Sequence, residues 1–152
     1  MNKSQYQTES LEFYAGLGNF TDMVTILIKR RLPEQDMLWK SEFAEKTVTV
    51  LVKRLNERVF GRNYLRGNKC LSTLIAYEVG RKLGRPHFHL LVERPVNLTR
   101  ENFTAVLRDV VTSMEWLIND FDVRDYKNSG CVGYICKGNF DAFILQGCSI
   151  TK

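Results

Sequence analysis

The chain holds two histidines, one residue apart, as His87-Phe88-His89. In an extended segment alternate side chains point to one side, so the two imidazoles would stand about 7 Å apart along the strand. Such a pair can share a divalent ion, and a carboxylate is the usual further ligand when the ion prefers oxygen. Glu78 and Glu93 are the nearby carboxylates. If residues 71–80 and 86–93 form a hairpin turning about Leu83, Glu78 falls opposite His87 with the side chains about 5 Å apart. Glu93 has the parity of the histidines but lies about 13 Å along the strand from His89. Glu78, His87 and His89 are therefore the candidate metal ligands. The competing reading is a half-exposed strand whose imidazoles are satisfied by water, and the hairpin register decides between the two.

A second pair lies in "GCVGYICKG", where Tyr134 and Lys137 are three residues apart on a short predicted helix and would project from one side of it. A phenol, with its pKa of about 10, is a weak nucleophile at neutral pH. A neighbouring ammonium and a metal-polarised electrophile would both help it. Gly130 and Gly133 leave little bulk on this helix, so a backbone or ligand can come close. The alternative is an amphipathic helix with a partly buried tyrosine and a solvated lysine.

The elements that must position these groups follow from periodicity. Residues 1–20 read as a polar N-terminal segment, and the domain, residues 21–152, starts near Thr21 with a β-branched strand, "TDMVTILIKR". Residues 41–59 place Phe43, Val48, Leu51, Val52, Leu55 and Val59 at helical spacing with Ser41 as the expected N-cap. A loop over residues 61–69 precedes two strands, "LSTLIAYEVG" and "PHFHLLVE", whose short connection makes them antiparallel neighbours. In the second strand Phe88 and Leu90 would face the core. Thr99 caps a second amphipathic helix, "FDVRDYK" is a further strand, the tyrosine helix closes at Gly138, and "FDAFILQGCSI" is a last strand. The order predicts an α+β fold: a ferredoxin-like or RNA-recognition-motif-like antiparallel sheet of about five strands with helices packed on it.

Composition sets wider bounds. A length of 152 residues with 44% hydrophobic side chains suits one core. The 22 Lys and Arg against 17 Asp and Glu give a net charge of +5, a basic bias suited to a phosphate-bearing partner. Cys70, Cys131, Cys136 and Cys148 form no Cys-x-x-Cys pair and read as buried thiols rather than zinc ligands. No apolar run is long enough for a signal peptide or a membrane span, so a soluble, intracellular protein is expected. Lys29, Arg30 and Arg31, with Arg62, Arg66, Lys69, Arg81, Lys82 and Arg85 in the loops, could track a nucleic-acid backbone. Tyr64 or Phe88 would offer a stacking surface.

His87-Phe88-His89 followed by "GYICKG" resembles the paired motifs of the HUH endonucleases, named for His-hydrophobic-His. Among them the match is to the single-tyrosine rolling-circle replication initiators of small circular single-stranded DNA viruses, plasmids and phages. The resemblance spans about residues 21–147 and includes the order of elements. It implies the HUH nuclease fold and a metal-dependent, site-specific endonuclease that nicks and rejoins single-stranded DNA through a covalent 5′-phosphotyrosine. Tyr134 would be the nucleophile, Lys137 would neutralise or position the phosphate, and Glu78 would be the acidic third ligand for Mg²⁺ or Mn²⁺. Lys29, Arg30, Arg62, Arg66, Lys69 and Arg85 are the expected DNA contacts. The implied partners are single-stranded DNA or a DNA hairpin at an origin, and a separate helicase and polymerase. The implied setting is a bacterial cytoplasm, or a host nucleus for a eukaryotic virus.

This chain departs from the pattern at two points. The first strand reads "VTILIKRR" where eukaryotic viral members carry a "FLTYP"-like sequence, and Gly130 stands where two-tyrosine initiators place their other tyrosine. No Gly-Lys-Ser/Thr phosphate loop is present, so any helicase is expected in another protein or beyond Lys152. Three alternatives compete: a single-tyrosine HUH transposase, disfavoured by Lys rather than Gln at 137; a non-catalytic RNA-recognition-type module; and a two-His-one-carboxylate iron oxygenase, disfavoured by the strong helices.

Overall fold

Alternation builds the centre of the sheet. Strand β1 (Asp22–Ile28) alternates buried and half-buried residues along its whole length, with Val24, Ile26 and Ile28 inside. The computed structural model describes residues 2–137 and 139–144. After β1 the chain makes a small hairpin, β2 (Arg31–Leu32) with β3 (Met37–Leu38), around a 3₁₀ turn at Pro33–Gln35 and a left-handed Asp36. Helix α2 (Ala44–Phe60) then buries Val48, Leu51, Val52 and Leu55. Ser41 does not cap it. The residue opens a 3₁₀ turn over Ser41–Phe43, and its hydroxyl lies 3.1 Å from that of Tyr77.

A short helix α3 (Arg62–Leu65) occupies the expected loop and leads to β4 (Thr73–Val79) and β5 (Pro86–Val92). Buried Asn56 ties this passage to α2. Its side-chain amide donates to the Val52 carbonyl, and its side-chain oxygen accepts from the Leu71 N–H at 2.6 Å. Helix α4 (Arg100–Thr112) starts at Thr99, whose hydroxyl accepts from the Asn102 N–H as an N-cap. Strand β6 (Leu117–Asp125) follows, then the tyrosine helix α5 (Gly130–Cys136).

The result is an α+β arrangement with a four-stranded antiparallel sheet in the order β4-β5-β1-β6. Helices α2 and α4 pack on one face around Val24, Ile26, Phe88, Leu90, Phe103 and Leu107. Leu74, Ala76 and Leu91 face the other way and meet Val132, Ile135 and Cys136 of α5. The expected last strand is represented, among the described residues, by a 3₁₀ turn at Phe140–Ala142 and a single antiparallel bridge from Phe143 to Ala76. Residues 145–152 lie outside them.

Two segments gain detail beyond the sequence reading. Residues 1–20, read as a polar segment ahead of the domain, contain helix α1 over Lys3–Ala15, capped by Asn2 and packed against α5. It escaped a periodicity test because it buries no residue fully. Its hold comes from half-buried Leu11, Tyr14 and Ala15, with Tyr14 stacked on Phe140 at 5.4 Å. Helix α5 ends at Cys136, and Gly138, the residue expected to close it, lies outside the described residues. Lys137 itself takes the left-handed conformation there, with φ of 50°.

A buried carboxylate fastens the far end of β1. Asp22 is fully buried and accepts hydrogen bonds from Thr21, Arg94 and Arg100. Burial pushes its pKa up, but those three bonds outweigh burial, and the carboxyl sits below its ordinary value.

Phe88, between the two histidines, is fully buried and cannot stack on a nucleobase. It anchors the histidine strand to the helix layer. Phe88→Ala should therefore lower the unfolding free energy by about 3–5 kcal/mol in urea titration; a loss below about 1 kcal/mol would contradict its place in the core.

Candidate active site

Strand pairing brings the three candidate ligands together. Glu78 is directly opposite His87 across the β4–β5 hairpin, as the sequence reading expected, while His89 pairs with Ala76 on one side and Thr25 on the other. All three ligand side chains project to the α5 face of the sheet. Glu78 Oε2 lies 3.1 Å from His87 Nε2 and 3.3 Å from His89 Nε2, and the two Nε2 atoms are 3.2 Å apart. An ion with bonds of about 2.1 Å and ligands at right angles separates neighbouring donors by about 3 Å. The donor set thus fits a divalent ion in both spacing and chemistry, and these three residues form a group close enough to hold one.

The groups behind the ligands set their orientation. The Arg85 carbonyl, 3.0 Å from His87 Nδ1, can only accept, so Nδ1 carries a hydrogen and the ring is turned with Nε2 toward Glu78. Thr25 Oγ1 plays the corresponding part for His89 Nδ1, also at 3.0 Å. Thr25 was not foreseen. Its parity within β1 was readable, but which β5 residue it would face depends on a pairing the sequence does not display.

Burial sets the charge of the site. His89 is 7% exposed, and burial together with the neighbouring His87 lowers its pKa to about 4, so it is neutral at physiological pH. For Glu78 burial acts to raise the pKa, but hydrogen bonding and charge from Lys137, with a contribution from His87, prevail and hold it below the ordinary range. A neutral imidazole and an ionised carboxylate are the forms a metal needs.

The tyrosine stands beside this group. Its ring centre is 6.0 Å from that of His89, and the residue is 62% exposed, open to solvent. Helix α5 is seated by Val132, Ile135 and Cys136, and α1 lies close over it: a Cβ on Gly133 would meet Leu11 Cδ2 at 3.2 Å. The close approach allowed by Gly133 therefore serves α1. Lys137 was expected to share a helix face with Tyr134. It lies instead just past the helix, and its Nζ contacts Glu78 Oε1.

The basic residues divide into two groups, all of them exposed. Lys29, Arg30 and Arg85 line one hollow where β1 ends and β5 begins, the end of the sheet that carries His87. Arg62 and Arg66 on or beside α3, with Lys69, lie toward the opposite end, where Tyr64 and Lys69 share a cavity with Glu93 and Arg94. Glu93 accepts there from the Asn19 N–H at 3.3 Å and takes no part in the metal group. Cys70, Cys131 and Cys136 are free thiols, and Cys136 donates to the Val132 carbonyl of its own helix.

No protein-family model matches the chain, and no curated protein or solved structure does either. Among the described residues no helix is long and apolar enough to cross a membrane.

The neutral, buried His89 carries a pH signature. Its folded pKa lies below its unfolded value of 6.5, so its contribution is complete above pH 6.5 and is lost as pH falls toward about 4. In chelator, wild-type stability should fall across that window, and His89→Gln should flatten the slope. Parallel profiles for the two proteins would show that His89 is not held neutral by the fold.

Proposed function

We propose that the chain is a metal-dependent, single-tyrosine endonuclease of the HUH type, which nicks and rejoins single-stranded DNA to start rolling-circle replication. The carrying observation is the convergence of Glu78, His87 and His89 within hydrogen-bonding distance of one another, with the Tyr134 ring 6.0 Å from His89. The strand order β4-β5-β1-β6, with α2 and α4 as the two crossovers, supports the split ferredoxin-like topology expected of such a nuclease.

The residues divide the work as follows. Glu78, His87 and His89 would hold Mg²⁺ or Mn²⁺, which when bound supplies the positive charge that polarises the scissile phosphate. The Tyr134 oxygen attacks phosphorus, its proton passing to solvent. An O–P bond forms to the tyrosine, the P–O3′ bond breaks, and the departing 3′-oxygen takes up a proton. The phosphodiester energy is retained in the 5′-phosphotyrosine, so a 3′-hydroxyl can reverse the step and rejoin strands. Lys29, Arg30 and Arg85, which line a hollow at the His87 end of the sheet, would bind phosphates flanking the reacting one.

One observation weighs against the RNA-recognition-type alternative. The residues that β1 and β5 turn to the α5 face are Met23, Thr25 and Leu27 and His87, His89 and Leu91, so the aromatic rings these strands carry there are the two imidazoles, both within hydrogen-bonding distance of Glu78, and no Phe, Tyr or Trp offers bases a stacking platform. Lys137, where transposases of the superfamily place Gln, favours replication, and single-stranded DNA within a replicating cell is the matching substrate.

The test is covalent trapping. The protein with Mn²⁺ is mixed with 3′-labelled single-stranded oligonucleotides tiled across the DNA that encodes it, then denatured. A labelled adduct should survive denaturation, vanish with chelator and be absent for Tyr134→Phe. An undiminished adduct in that variant would move the nucleophile elsewhere, and no adduct on any tile would remove the nuclease.

A further inference from the structure

The two oxygens of Glu78 are engaged differently. Oε2 faces both imidazoles, at 3.1 and 3.3 Å from their Nε2 atoms, while Oε1 is held by Lys137 Nζ. We propose that Lys137 is a positioning residue for the metal carboxylate: it fixes Oε1, turns Oε2 alone toward the imidazoles, and ties the turn that follows Tyr134 to the ligand strand. This inference rests on the reading of Glu78, His87 and His89 as a metal centre.

A glutamate carboxylate turns easily about its last torsion, which is broad and roughly two-fold. With nothing on Oε1, Glu78 could present either oxygen or both to an ion. An ammonium on one oxygen leaves a single donor, and a ligand whose free partner is already bonded loses less freedom when an ion arrives. The Lys137 contact leaves Oε2 available, so binding an ion does not require the lysine to leave.

The backbone points the same way. Lys137 takes a left-handed conformation that residues other than glycine seldom adopt, and it does so at the turn from which its side chain reaches β4. Helix α5 has seven residues, two of them glycine, and so has little stability of its own. Its position depends on anchors. Leu11 of α1 and the buried Val132 and Ile135 hold its body, and Lys137 holds its last turn, three residues beyond the phenol. The order of the tyrosine turn and the readiness of the carboxylate therefore belong to one contact.

A competing effect has the opposite sign. An ammonium beside a metal site repels the arriving cation, so deleting it would tighten metal binding. Lys137 has a side chain 56% exposed, and water screens its long-range field, whereas the carboxylate it orients is only 16% exposed. The local orienting effect should win.

The experiment measures Mn²⁺ affinity without DNA, from the electron paramagnetic resonance of free Mn²⁺, for wild type, Lys137→Met and Lys137→Arg. Lys137→Met should weaken binding by about 10-fold, the lower end of what losing a group behind a ligand does, and Lys137→Arg should recover most of it. In chelator the Met variant should remain folded, melting at most a few degrees below wild type for the lost ion pair, and bind single-stranded DNA equally well, which a phosphate-neutralising lysine would not allow. Lys137→Gln answers the same question if the Met variant precipitates. Unchanged or tighter Mn²⁺ binding in Lys137→Met or Lys137→Gln overturns the inference while leaving the metal centre standing; absence of Mn²⁺ binding by wild type overturns both.

Discussion

The register of one hairpin governs the rest of the molecule. Because strand side chains alternate, the pairing that sets Glu78 against His87 also sends Tyr77, Phe88 and Leu90 into the helix-covered core. A slip of β5 by one residue would turn His87 and His89 under the helices and Phe88 out to the tyrosine helix. The core is thus the device that keeps the ligands in place. The energy that fixes the register comes from apolar burial on the opposite face, and the site uses that rigidity without contributing much to it.

The site face is built on a different balance. It is neither bare nor filled: α5 covers β4 and the adjoining part of β5, with α1 lying on α5 in turn. Covering His89 strips it of water and keeps it neutral, which is the state that offers a lone pair. Tyr134 is left exposed, as the proposed single-stranded substrate, too long to enter a closed pocket, would require. Short and glycine-containing, α5 cannot hold that position unaided, so a helix from the chain's start and an ion pair from its own last turn share the task.

Much of this was legible in advance. Glycines at 80 and 84 punctuate two β-rich runs, which is why the hairpin and the Glu78–His87 pairing could be read, and the apolar spacing of α2 and α4 and the Thr99 cap were equally plain. What escaped depended on contacts between distant segments. Helix α1 has no apolar stripe; its partners are α5 and the turn after it, more than a hundred residues later. Thr25 became visible as the support of His89 only once β1 was paired with β5. Lys137 was read from helical spacing as a neighbour of the phenol, but the helix ends one residue too early for that, and the left-handed turn sends the ammonium to Glu78. The basic residues looked like one set because sequence records charge without place, whereas the sheet sorts them to its two ends.

The central claim is that a phenol and a metal site meet at one point. Paramagnetic broadening by sub-stoichiometric Mn²⁺, read on the ring resonances of isotopically labelled tyrosines and histidines without DNA, tests it most directly. Tyr134 should broaden together with His87 and His89, while Tyr64 at the opposite end of the sheet stays sharp. Histidine signals that broaden while Tyr134 remains sharp would separate nucleophile from ion and contradict the account.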